Sequence, residues 1–159
     1  MSNSIMRTLF FAAVAAAVMA GTAQATNLGA LLDGLSEVPP VNTPGTGTFT
    51  GVLNDVTNVL TFQLNYSNLL GPTTASHIHR AAAGINGPVV YPLAGAGFPS
   101  GFLGQVNINP ADLPDLLNQR MYVNIHTSIF PGGEVRGQVT VTQTAVEPGT
   151  WGQIKDLFR

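Results

Sequence analysis

The chain contains no cysteine. That absence excludes disulfides, thiolate metal sites, thiol redox chemistry and cysteine nucleophiles. Charge is also scarce, at 9% of residues. Of the six basic residues one, Arg7, lies near the start, and the remaining five face eight acids. Nucleic-acid binding needs a basic footprint, and none is present. No apolar run after the first twenty-five residues approaches the roughly 20 residues that a membrane-spanning helix needs. No G-x-S-x-G nucleophile elbow occurs, and no G-x-x-x-x-G-K-[ST] phosphate loop.

What is present begins with an export signal. Arg7 supplies the positive end, Thr8 to Ala20 the apolar run, and Ala23-Gln24-Ala25 a small-residue cleavage site. Residues 1–25 are therefore expected to be removed after Ala25; the alternative is an uncleaved anchor. Residues 26–142 are expected to form one β-domain, and residues 143–159 a linker and short tail. Trp151, Ile154 and Leu157 or Phe158 recur there at helical spacing. They suit a short helix against the barrel or in solvent, or a sorting and attachment tail.

Alternation dominates the body of the chain. From Thr46 to Leu53, Gly47, Phe49, Gly51 and Leu53 share one face and three threonines the other. From Val59 to Tyr66, Leu60, Phe62, Leu64 and Tyr66 oppose Thr61, Gln63 and Asn65. Period-two patterning across a short polar break predicts a β-hairpin. Further strands are predicted at 75–80, 89–93, 102–108, 121–127 and 134–142, with 94–101 a flexible loop. Asn109-Pro110 reads as an N-cap and first helical residue, opening a short helix over 111–119. Asp112 and Asp115 read as solvated residues of that helix. The fold class is all-β: a Greek-key β-sandwich or barrel with one short internal helix.

The chain has three histidines, His77, His79 and His126. In Ser76-His77-Ile78-His79-Arg80, strand geometry turns Ile78 to the core and both histidines to the other face. In Tyr122-Val123-Asn124-Ile125-His126, the same rule puts Tyr122, Asn124 and His126 away from the core. If the strands are neighbours, the histidines converge with Glu134 and Arg136. Three neutral imidazoles suit copper or zinc and leave a coordination position open. Without a metal, they are sheet-face residues that bond to neighbours or water.

Four groups of residues resemble the CHRD family, named for domains of chordin and found in many exported bacterial proteins. They are Leu35-Ser36-Glu37-Val38-Pro39-Pro40-Val41, Thr74-Ala75-Ser76-His77-Ile78-His79, Gly84-Ile85-Asn86-Gly87-Pro88-Val89-Val90, and Tyr122 to Thr127 followed by Pro131 to Gln138. The resemblance departs at Ser76, usually Ala, and at Arg80, usually Gly. Arg80 is expected to put a cation beside the histidines and mildly disfavour a metal. The resemblance implies an extracytoplasmic β-domain and assigns no chemistry. The H-x-H strand is also similar to that of copper/zinc superoxide dismutase, which implies a superoxide-dismutase-like architecture only. Three histidines cannot supply that enzyme's four-histidine copper site with a separate zinc site.

The leading expectation is a non-enzymatic exported binding module, periplasmic, cell-surface or extracellular. Its histidine face would hold copper or zinc, or meet a protein partner through Tyr122, Asn124, Glu134 and Arg136. The alternatives are a metal-dependent redox or hydrolytic enzyme using the same histidines, and a structural or matrix-associated domain without a small ligand.

Overall fold

A computed structural model describes residues 25–144; the expected signal before Ala25 and the tail from 145 onward lie outside the described residues. The alternating segments become strands. They are β1 (Ala25–Asp33), β2 (Thr46–Asn54), β3 (Val59–Ser67), β4 (Thr73–Arg80), β5 (Val89–Ala94), β6 (Phe102–Asn107), β7 (Met121–Thr127), β8 (Val135–Gln138) and β9 (Thr140–Thr144). They pair in the order β5-β4-β7-β8-β1-β2-β3-β6, with β9 also against β1. Every ladder is antiparallel. The connections after β3, β5 and β6 cross between the two halves of this order, as in a Greek key. The end strands β5 and β6 share no ladder, so the barrel is nearly closed.

The core lies between those halves. Leu28, Leu32, Phe49, Leu53, Leu60 and Leu64 come from β1, β2 and β3; Ile78, Met121, Val123, Ile125 and Val135 come from β4, β7 and β8. Each such burial stabilises by about 1.5–3 kcal/mol. The β2–β3 hairpin keeps the predicted facing, with Phe49 opposite Leu64 and Gly51 opposite Phe62.

Four expectations need correction. Strand β1 was not predicted, although Leu28, Ala30 and Leu32 alternate toward the core. The segment 134–142 is two strands: β8 pairs with both β7 and β1, and beyond Val139, whose N–H donates to Met121 O, the chain leaves β7 and continues as β9 against β1. The 94–101 segment is anchored by buried Phe98, whose carbonyl accepts from Tyr66 Oη at 2.6 Å and Thr73 Oγ1 at 3.1 Å.

The fourth concerns two acids of the short helix, which itself forms as expected: a 3-10 turn (Pro110–Asp112) runs into α1 (Leu113–Leu117), capped by Asn109 Oδ1 accepting from Ala111 N. Its acids are latches. Asp112 accepts from Tyr91 Oη at 2.5 Å and pairs with Arg80, and Asp115 lies 3.3 Å from Arg80 Nε. The Arg80 charge is thus compensated, and on its strand Arg80 alternates to the face opposite the histidines.

Candidate functional site

Strands β4 and β7 are direct neighbours, with His77 opposite Asn124, His79 opposite Tyr122 and Ala75 opposite His126. Opposed residues in an antiparallel pair share a face. The three histidines therefore converge as expected: ring centroids are 5.0 Å apart for His77–His126, 5.7 Å for His77–His79 and 5.8 Å for His79–His126. One nitrogen from each lies within 4.8 Å of the other two.

Two backbone carbonyls orient the rings. His79 Nδ1 lies 3.0 Å from Gly87 O, and His126 Nδ1 lies 2.9 Å from Pro131 O. A carbonyl only accepts, so both Nδ1 atoms carry the proton and both Nε2 atoms present lone pairs. His77 Nδ1 sits 3.1 Å from His126 Nε2. Since that Nε2 must accept, His77 Nδ1–H donates to it. His79 Nε2 is buried and has no partner.

Burial pushes all three imidazoles below their ordinary value of 6.5. For His77 the neighbouring His126 and His79 push further in the same direction; for His79, His126 and the Arg136 guanidinium do so against the Gly87 bond. At His126 the Pro131 bond opposes the effect. The rings are neutral near pH 7, the state in which imidazole coordinates metals.

The face that carries them is largely covered, with His77 half-buried. All seven residues of β7 are buried. Loops 34–45, 81–88 and 128–133 roof the non-core side, so it is a second, polar interior layer. Tyr122, Asn124, Glu134 and Arg136, expected as a contact surface, are instead each at most 3% exposed. Arg136 places its guanidinium 3.4 Å from the centroid of the Tyr122 ring and donates to Ile85 O at 2.8 Å and Asn86 Oδ1 at 3.2 Å. The same Tyr122 ring stacks on His79, with centroids 4.8 Å apart. Glu134 accepts from Thr43 Oγ1, Leu70 N and Thr127 Oγ1, each at 2.7 Å, tying two loops to β7. These residues hold the roof in place.

The chain matches the CHRD domain model over residues 28–139. It belongs to the CHRD family. No curated protein and no solved structure matches it. The CHRD stretches recognised in the sequence all border one layer: the 35–41 strap, β4, the 84–90 loop, β7 and the 131–138 turn and strand. Among the described residues no helix is long and apolar enough to cross a membrane.

Three residues of the CHRD stretches were given no role in the site by the sequence. Glu37, in the strap, is buried over Asn124, whose Nδ2 donates to it at 3.4 Å. Burial pushes its carboxyl from 4.5 up to about 7, against the pull of Arg136 and the Asn124 bond. A lone acid in an apolar, proline-flanked segment of a charge-poor chain was the available signal. Gly87 and Gly133 act through their backbones. A Cβ on Gly87 would lie 1.9 Å from Arg80 O, and one on Gly133, at φ +127°, would lie 2.4 Å from the Asn124 amide. Both loops close down on the layer only because these positions lack side chains.

Proposed function

We propose that the chain is an exported binding module of the CHRD family whose ligand is a copper or zinc ion held by His77, His79 and His126. The observation that carries this is the buried, unpartnered His79 Nε2, with its ring fixed by Gly87 O and the paired nitrogens of His77 and His126 beside it. Buried polar atoms without partners are rare, and a group in the gap explains one. Ligand nitrogens on a tetrahedral zinc lie about 3.3 Å apart. His77 Nδ1 and His126 Nε2 already lie at 3.1 Å. Carbonyl-fixed Nδ1 protons are the outer support that metal-bound histidines commonly have. An ion would take the place of the proton shared between His77 and His126, with the His77 proton moving to its Nε2.

Export rests on Arg7, the apolar run and Ala23-Gln24-Ala25. Cleavage after Ala25 leaves Thr26 to open the first strand, where it pairs with Leu53. The intact mass of exported protein should correspond to a chain beginning at Thr26.

Calorimetric titration with zinc and copper tests the ligand. One ion per chain is expected for the natural protein, with binding lost in His77→Ala/His79→Ala. Equal binding by the two proteins would sink the proposal.

A further inference from the structure

The solvent side of β1, β2, β3 and β6 carries three cross-strand rows without one charged side chain. In register these are Leu31–Thr48–Asn65, Gly29–Thr50–Gln63–Leu103 and Asn27–Val52–Thr61–Gln105. Leu31 is 78% exposed, Leu103 72% and Val52 44%. An open groove of about 510 Å³ runs between Val52 and Leu103, lined also by Gly29, Thr50 and Thr142, and Leu31 lines an adjoining groove that shares Gly29, Thr50 and Thr142 with it. Gly29 makes its floor, where a side chain would collide with Thr142. An exposed apolar patch of this kind marks a contact surface.

We propose that this chain's own segment 145–159 covers that face, seating Trp151, Ile154 and Phe158 against Leu31, Val52 and Leu103. Strand β9 delivers the chain to the spot: Thr142 lines the groove, and the ladder with β1 runs to Thr144 opposite Thr26. Residues 145–150, extended, reach up to about 20 Å. From β9 across β1, β2 and β3 to β6 are four strand spacings, about 19 Å; a helix from Trp151 to Phe158 would add about 10 Å of reach, which brings the face within range. Trp151, Ile154 and Phe158 recur at i, i+3 and i+7, the spacing that puts side chains on one face of a helix. The rows they would meet are neutral, so contact with them strands no unpaired charge.

Trp151 is the only tryptophan, so its fluorescence reports on the segment alone. In the intact protein its emission is expected to be blue-shifted and protected from acrylamide, relative to a synthetic peptide of residues 145–159. The variant Leu31→Asn/Leu103→Asn alters two exposed side chains and should keep the far-UV circular dichroism of the parent. It should lower the docked-to-free ratio about tenfold or more, moving the emission toward that of the peptide. Peptide-like emission in the parent, or emission unmoved in the folded variant, would overturn the proposal. A blue shift that vanishes on dilution would also overturn it, assigning the face to a second copy of the chain.

Discussion

Glu37→Gln should stabilise the protein at pH 8 and leave it nearly unchanged at pH 4. The carboxyl rises from 4.5 in the unfolded chain to about 7 in the fold. Below 4.5 both states hold the proton and the group contributes nothing to the pH dependence. As pH rises toward 7 the unfolded chain ionises first, so stability falls. Above 7 the loss is complete, and the rise corresponds to about 3 kcal/mol. Glutamine never ionises and can still accept from Asn124, so the variant escapes that loss. For a domain of this size the gain amounts to a melting temperature about 10 °C higher at pH 8. The three histidines titrate in both proteins, and their effect cancels in the difference. Urea and thermal unfolding of the pair at pH 4, 6 and 8 provide the assay. A gap that does not grow with pH, or a variant no more stable at pH 8, would refute the argument that burial dominates at Glu37.

Ion affinity should be nearly flat from pH 8 to 6.5, because all three imidazoles are held neutral below their ordinary range. Below that it should fall, by up to about tenfold per pH unit for each ligand protonated; calorimetry showing loss already between pH 8 and 7 would contradict this. Gly87→Ala forces the 81–88 loop away from Arg80 O and removes the carbonyl that fixes His79. Zinc affinity should drop about 10–100-fold while the β-sheet circular dichroism persists. Unchanged affinity would show that the carbonyl is unimportant. Glu134→Ala strands three donors in the interior. It should cost about 3 kcal/mol or more in urea unfolding, and a cost near zero would remove Glu134 from the roof's supports.

The strands were legible where alternation was long and clean, as in β2 and β3. Strand β1 was missed because exposed Leu31 and side-chain-free Gly29 blur its pattern, and because it follows immediately on the expected cleavage site. The break at Val139 left no sign, since a change of partner strand does not alter the period. The facing of His77, His79 and His126 followed from period two. Their adjacency did not, because it depends on β4 pairing with β7, a long-range choice that local pattern cannot encode. The larger error concerned Tyr122, Asn124, Glu134 and Arg136. Alternation says which side chains leave the apolar core; it does not say what covers them. Loops 34–45, 81–88 and 128–133 cover these four, and their bonds to those loops are what polar residues in an interior require. Arg80 was misjudged for a related reason: its partners Asp112 and Asp115 come from the short helix some thirty residues away in the sequence.

The metal reading stands or falls on two ring nitrogens. Two-bond ¹H–¹⁵N spectra of histidine-labelled protein at pH 7.5 report the state of each directly. Before zinc, His79 and His126 should both be Nδ1-protonated, as Gly87 O and Pro131 O require. On adding one equivalent of zinc, both Nε2 resonances should shift to metal-bound values while both Nδ1 protons remain, with one nitrogen of His77 shifting alongside. Zinc that leaves all three rings unmoved, or that strips the Nδ1 protons from His79 and His126, would contradict the site.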